Sequence, residues 1–98
     1  MNPLQWYVLV EENFSTYNDR PWKISKKQPA NDFEHALWLA QQLALYHQPQ
    51  HPKWPQSRSL YRTQDGGWLV ELPGATVGFH FRVSVVEYYG EFRGQVEG

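Results

Sequence analysis

The sequence contains no cysteine. This absence excludes disulfide bonds, thiolate metal sites and thiol nucleophiles, so nothing in the chain requires an oxidising compartment. The chain also lacks a long apolar run, and its first residues have no basic region ahead of an apolar one. We therefore expect neither a signal peptide nor a membrane span, and the default prediction is a cytoplasmic protein with no membrane partner.

A large charge of one sign is also absent, because nine basic and ten acidic residues give a formal net charge of −1. A nearly neutral chain does not bind nucleic acid through its bulk charge. The charges are unevenly distributed, however, since residues 20–62 contain seven basic and two acidic side chains and both flanks are net acidic. A local basic surface therefore remains compatible with the sequence.

Aromatic side chains are what the chain has in excess: five tryptophans, six tyrosines and five phenylalanines make up 16% of its 98 residues. A single domain of this size buries roughly 65% of the surface that its unfolded chain exposes, so it cannot fully bury all of these large rings. Exposed aromatic rings are frequent at binding surfaces. In the alternative interpretation, partly buried rings only enlarge a small core.

Turn signals divide the last third of the chain into three strands. Runs of β-branched and aromatic residues are separated there by Asp65-Gly66-Gly67 and by Pro73-Gly74. This spacing is typical of an antiparallel meander with tight turns.

Two earlier strands are predicted from alternating apolar residues, over residues 5–12 and 21–26. The first is apolar on both faces, which is typical of a central strand or of one covered on two sides. In the second, Trp22 and Ile24 share one face, and the lysines are expected on the other.

One helix is predicted over residues 32–47. Asn31 followed by Glu34 has the form of a capping box, and Pro49 ends the helix. Apolar residues at helical spacing line one side of it. Together with the strands they form the predicted core: Val8, Val10, Phe33, Leu37, Ala40, Leu43, Val70, Leu72, Phe79, Phe81 and Val83.

These elements predict one α+β domain over residues 1–98, with the element order β-β-α-β-β-β. Its antiparallel sheet has four or five strands, and the helix packs on one face. The order of the strands within the sheet does not follow from the sequence. Residues 89–98 are expected to form a frayed tail or a short edge strand.

Trp38 and Leu45 lie outside the apolar side of the predicted helix. They are seven residues apart and therefore share one stripe of its surface. Either the following proline-rich segment, which contains Trp54, folds back over this stripe, or the stripe contacts a partner protein or a second copy of the chain. The second interpretation predicts a protein-binding site formed by Trp38, Leu45 and Trp54.

The histidines carry no recognisable metal site. His47 and His51 have the spacing of two zinc ligands on one helix, but Pro49 prevents the helix from continuing to His51. Neither His35 nor His80 stands at a spacing that would supply a third ligand. We therefore expect no metal and no cofactor, and a His47 side chain partly buried at the end of the helix.

The sequence also lacks a catalytic constellation. His80 and Ser84 share one face of a predicted strand, but that spacing separates them by about 13 Å, too far for a hydrogen bond. Glu11 and Glu12 are adjacent, so on a strand they point to opposite faces. The glycine-bearing turns connect strands and do not lead into a helix, which excludes a phosphate-binding loop. We therefore expect the protein not to be an enzyme.

A nucleic-acid interface is the alternative hypothesis. His80 and Arg82 share the polar face of the last strand, and Tyr61 would add an aromatic platform for a base. Lys23 and Lys26, in the basic segment, would contact phosphates. The leading hypothesis remains a non-catalytic protein-binding accessory domain (an adaptor, a regulator or a toxin-neutralising protein of the immunity type), whose partner is another protein or a second copy in a homodimer.

Overall fold

A computed structural model of the chain describes residues 5–13, 22–49, 57–72 and 79–94. Within these ranges lie one helix and five strands: β1 (Gln5–Asn13), β2 (Trp22–Ala30), α1 (Phe33–Tyr46), β3 (Ser59–Arg62), β4 (Trp68–Leu72) and β5 (Phe79–Tyr88). The predicted α+β class and the predicted order β-β-α-β-β-β are confirmed.

The five strands form an antiparallel sheet in the order β2-β1-β5-β4-β3. β1 lies between β2 and β5, which confirms the central position that its two apolar faces predict. The chain leaves the sheet at one edge, β2, and re-enters it at the opposite edge, β3. Helix α1 lies between these two points and packs on one face of the sheet, in contact with β1, β2, β4 and β5.

The core lies between α1 and the sheet. Alternate residues of β1, β4 and β5 supply its strand side: Val8, Val10, Val70, Leu72, Phe81 and Val83. The helix supplies Ala36, Ala40 and Ala44, which are spaced one turn apart and fully buried. Because alanine is small, this line of side chains lets the helix backbone approach the sheet closely, and larger neighbours pack at its two sides.

Three of the predicted core residues lie at the margin of this contact. Phe33 is 42% exposed, and its ring packs against Trp6 with ring centres 4.9 Å apart. Leu37 and Leu43 are only partly buried. Leu43 nevertheless packs against the buried cluster, as predicted. The prediction failed for Phe33 and Leu37 because the line of alanines, and not these larger side chains, faces the sheet. The side chain of Phe79 lies outside the described part of the chain.

Helix α1 begins one residue later than the sequence predicts, because its cap is Asp32 and not Asn31. The Asp32 backbone is extended, and its side chain accepts a hydrogen bond from the His35 N–H at 2.7 Å. In return, Nδ1 of His35 accepts a hydrogen bond from the Asn31 N–H at 2.9 Å. The histidine therefore takes the position that glutamate holds in a usual capping box, while Glu34 lies in the first turn, near the positive end of the helix dipole.

Strand β2 is longer than predicted, since it extends through Pro29 to Ala30. An edge strand tolerates proline because one side of it makes no ladder hydrogen bonds. The pairing of β1 with β2 shifts register next to Val10, so that Lys26 lies opposite Val10 on the helix side of the sheet and Lys27 lies on the other side. Within the predicted strand, Lys23 and Lys26 therefore share the helix side and Trp22 and Ile24 share the other, as predicted.

The predicted turn at residues 65–67 is confirmed as the connection between β3 and β4. The Thr63 hydroxyl donates to the Asp65 carboxylate and lowers the pKa of that carboxyl below its ordinary value. Gly66 has a φ of +88°, a conformation that favours glycine, and a side chain there would collide with Leu37 of the helix. This glycine therefore lets the turn approach α1.

The connection between β4 and β5 and the residues after β5 were also predicted from the sequence. Pro73 and Gly74 lie outside the described residues, although β4 and β5 do pair antiparallel as predicted. Residues 89–94 contain no strand, so the edge-strand alternative is wrong for this part of the tail. Its aromatic side chains, Tyr89 and Phe92, are both exposed.

The alanine line makes a testable prediction about packing. We expect Ala40→Leu to lower the free energy of unfolding by about 1–3 kcal/mol, because the added carbons have no space between helix and sheet. The matched control is Gln41→Leu, one residue away and exposed, which should change stability by no more than about 0.5 kcal/mol. Urea denaturation of both variants measures the difference, and equal losses would contradict this account of the core.

Candidate functional site

The outer side of α1 presents aromatic side chains to solvent. Trp38 is 57% exposed and Tyr46, two turns further on, is 68% exposed. Gln42 lies between them on the same stripe. Leu45, which the sequence pairs with Trp38, is only partly buried. Trp54, the third residue of the predicted protein-binding site, lies outside the described residues.

A groove runs between α1 and the edge strand β2. Its volume is about 640 Å³. Apolar carbons of Leu39 and Leu43 line it, together with the rings of Trp38 and Tyr46, and polar groups come from both elements: Lys26, Gln28, Gln42, His47 and Gln48. The groove thus combines apolar carbons with amide groups and one ammonium group. Such a lining can contact both the apolar and the polar side chains of a protein segment.

His35, in the first turn of α1, stacks on Trp38. The His35 ring lies nearly parallel to the Trp38 indole, at 15°, with the ring centres 6.1 Å apart. His35 is itself held by the hydrogen bond that its Nδ1 accepts from Asn31. This stacking favours one orientation of the indole, which reduces the entropy lost on binding. Sequence reasoning assigned His35 no role beside Trp38, although its position three residues before Trp38 is the signal that could have indicated this contact.

A second hollow lies on the other side of Trp38. It is bounded by Leu37 and Gln41 of α1 and by Arg62, Gly66 and Trp68 of the β3–β4 hairpin, and its volume is about 390 Å³. The Arg62 guanidinium lies 5.9 Å from the centre of the Trp68 ring. Trp38 therefore projects from the ridge between two depressions, as anchoring residues of binding surfaces do.

The face of the sheet away from α1 carries three of the residues predicted to bind nucleic acid. Arg82 donates to the Glu11 carboxylate at 2.9 Å, and its guanidinium lies 4.3 Å from the centre of the Trp22 ring. The Tyr61 hydroxyl donates to Glu71 at 3.4 Å, and His80 lies 3.8 Å from the same carboxylate. Arg82, Tyr61 and His80 are thus engaged with carboxylates, which repel phosphate.

Lys23 and Lys26, the other two residues predicted to bind nucleic acid, do not join this face. The register places Lys23 opposite Glu12 and Lys26 opposite Val10, on the helix side of the sheet. Lys26 lines the groove next to α1. The structure therefore brings Tyr61 and Arg82 to one side of the sheet and these lysines to the other.

Glu12 and His47 form a buried ion pair or hydrogen bond beneath the C-terminal end of α1. Nε2 of His47 lies 2.8 Å from Oε2 of Glu12, and the Glu12 residue is only 6% exposed. The His47 ring also packs edge-on against Phe81, with ring centres 5.0 Å apart. This contact confirms that His47 is partly buried at the helix end and that Glu11 and Glu12 point to opposite faces. The pair links the C-terminal end of α1 to β1, and its Glu12 side chain is buried against the sheet.

Arg58 strengthens the same end of the helix. Its guanidinium donates to the Ala44 carbonyl at 3.0 Å and lies 5.8 Å from the centre of the Phe81 ring. A cation here neutralises part of the negative end of the helix dipole and uses a carbonyl that the helix leaves without an internal partner.

Among the described residues, no group of three or more histidine, aspartate or glutamate side chains is placed to hold a metal ion. In the same part of the chain, no helix is both long enough and apolar enough to cross a membrane. His51, which the sequence analysis considered as a zinc ligand, lies outside the described residues.

Comparison with known proteins adds nothing to this geometry, because no family model, no curated protein and no solved structure matches the chain.

The buried pair predicts a large difference between two histidine substitutions. We expect His47→Ala to lower the free energy of unfolding by about 2–4 kcal/mol, because it removes a partner of a buried carboxylate and a ring packed on the core. His80→Ala is the control, since His80 makes only a long contact to an exposed glutamate and should cost no more than about 0.5 kcal/mol. Urea denaturation measures both, and similar losses for the two variants would show that the buried pair has no special role.

Proposed function

We propose that this domain is a non-catalytic protein-binding module that holds a partner protein in the groove between α1 and β2, with Trp38 as the anchor. The observation that carries the proposal is the exposure of Trp38, 57%, at the rim of a groove lined by two elements. Trp38 and Tyr46 are exposed beside the partly buried Leu39 and Leu43, and large contiguous apolar patches on monomeric proteins usually mark binding sites.

The magnitude of the Trp38 contact is sufficient for an anchor. A tryptophan buries up to about 250 Å² when fully covered, so covering the exposed part removes roughly 140 Å² from water. At about 25 cal/mol per Å², this contributes roughly 3 kcal/mol, which places Trp38 within the range of interface hot spots. An adaptor, a regulator or a toxin-neutralising protein would each use such a surface.

The groove supports this proposal better than the outer sheet face supports nucleic-acid binding. A base-and-phosphate site needs a free cation beside an aromatic ring. On the outer face, Arg82 is paired with Glu11 and stacked on Trp22, and Tyr61 contacts Glu71. Lys27, the other cation of this face, lines a hollow that also contains a carboxylate, Glu87. Freeing Arg82 for a phosphate would separate it from both of these contacts.

The test compares capture of partner proteins by two variants of the immobilised domain, from nuclease-treated lysate of the source organism. We expect Trp38→Ala to weaken retention of the partner by about a hundredfold, the equivalent of roughly 3 kcal/mol, because the anchor is lost. Thermal stability should stay close to that of the unchanged protein, since the indole lies outside the core. Quantitative mass spectrometry measures retention.

Tyr61→Ala is the matched control, because Tyr61 is a similarly exposed aromatic residue on the opposite side of the sheet. It should retain the partner fully. Equal retention by both variants would contradict the proposal, and so would a large loss of stability in Trp38→Ala. Sedimentation of the purified protein distinguishes the partners, since a dimer that Trp38→Ala converts to a monomer would identify the partner as a second copy. Material lost on nuclease treatment would favour the sheet face instead.

A further inference from the structure

Strand β2 has a hollow on each of its two faces. On the helix side, Lys26 and Gln28 line the groove that contains Trp38. On the other side, Ile24 and Lys27 line a second hollow of about 270 Å³. Its remaining wall is largely apolar but includes one acid: Tyr7, Leu9, Val86, Glu87, Tyr88 and Tyr89. Ile24 is 51% exposed. A chain lying along β2 would therefore have space for side chains on both faces.

The outer side of β2 is also able to accept another strand. β2 is nine residues long and stands at the edge of the sheet. Among the described residues it pairs with β1 alone. The backbone N–H and C=O groups on the outer side of an edge strand are a template for one more strand, about 4.8 Å away, whose side chains alternate between the two faces. This alternation matches the two hollows.

The charge of β2 indicates which chain would fit. The strand carries Lys23, Lys26 and Lys27 and no acidic residue. The two nearest acids of β1 are engaged elsewhere, since Glu11 binds Arg82 and Glu12 lies beside His47. One acid of β5, Glu87, lines the outer hollow with Lys27, so the three lysines of β2 outnumber the acid beside them. Lysines on both sides of the strand favour an added chain with acidic side chains.

The same charges disfavour a second copy of β2 as the added strand. Two copies paired antiparallel about their centres would place Lys26 opposite Lys26, and like charges directly opposite each other destabilise a sheet. Lysines on an edge strand are also a common protection against aggregation. The two effects are compatible, because the charges that repel a second β2 attract an acidic segment.

We propose that β2 accepts an extended, acidic segment of a partner protein as a sixth strand, with apolar side chains of that segment entering the hollows on its two faces. This inference rests on the proposed function, because one of the two hollows is the groove that contains Trp38. Strand addition supplies backbone hydrogen bonds, and the pockets beside the edge select the alternating side chains.

The test uses synthetic peptides of the same length as β2. The first repeats two leucines followed by two glutamates, so that an extended chain presents leucine and glutamate on both of its faces. The second replaces each glutamate by lysine, and the third repeats the first with its backbone amides methylated. We expect the first peptide to bind and to slow amide hydrogen exchange at alternate residues of β2, which is the signature of a new ladder. The second and third peptides should bind at least about tenfold more weakly, because charge attraction or backbone hydrogen bonding is lost.

A charge-reversal variant tests the lysines. Lys26→Glu combined with Lys27→Glu should weaken binding of the acidic peptide by about tenfold or more. Arg93→Glu is the matched control, because Arg93 is exposed and lies beyond the end of β5, and it should leave binding unchanged. The proposal is wrong if the acidic peptide binds no better than its lysine counterpart, or if methylation of its amides makes no difference.

Failure of strand addition and failure of the proposed function give different results in these experiments. A partner that is lost from Trp38→Ala but retained fully by the Lys26→Glu, Lys27→Glu variant would support the groove as a binding surface and overturn strand addition. Binding of the acidic peptide with protection of β2, combined with full retention of the partner by Trp38→Ala, would support strand addition and contradict Trp38 as the anchor.

Discussion

The close contact between one line of small side chains on α1 and the centre of the sheet is what the rest of the structure depends on. Ala36, Ala40 and Ala44 are fully buried, and the strand residues opposite them come from β1, β4 and β5. Since alanine extends little from the helix, the contact is narrow. The helix therefore lies against the sheet without covering it from edge to edge, and its larger side chains are left at the two margins of the contact.

The candidate binding surface is a consequence of this narrow contact. Leu39 and Leu43 would lie in the core of a more widely spaced layer, but here they form one wall of the groove beside β2. Leu37 packs on the opposite margin, next to the turn at Gly66. Trp38 projects from the ridge between the two margins, and the capping contacts of His35 orient it. The packing that stabilises the fold thus also creates the groove and exposes the indole.

Two adjacent glutamates on β1 give the two faces of the sheet different properties. Glu12 points toward the helix and binds His47, which joins the end of α1 to the central strand. Glu11 points the other way and engages Arg82 on the outer face. On the outer face Arg82 is therefore paired, whereas the lysines of β2 lie on a strand that, among the described residues, pairs only with β1. A phosphate would have to compete with carboxylates for Arg82, whereas an acidic chain along β2 would meet lysines on both of its sides.

Local patterns in the sequence determined the element order, the single helix, the turn at residues 65–67 and the central position of β1. Each depends on neighbouring residues: alternation, helical spacing and the glycines that a tight turn requires. The order β2-β1-β5-β4-β3 and the pairing of Glu12 with His47 were decided by the tertiary structure alone. The apolar side of the helix is visible in the sequence, but that its alanines rather than its leucines face the sheet was also decided by the tertiary structure. These features depend on which distant segments pack together. Whether Ala36 or Leu37 faces the sheet, for example, depends on the distance between the helix and the sheet. The exposure of Trp38 could be predicted only in part from the sequence. Its position outside the apolar stripe is visible in the sequence, but the groove beside it exists only because β2 became the neighbouring edge strand.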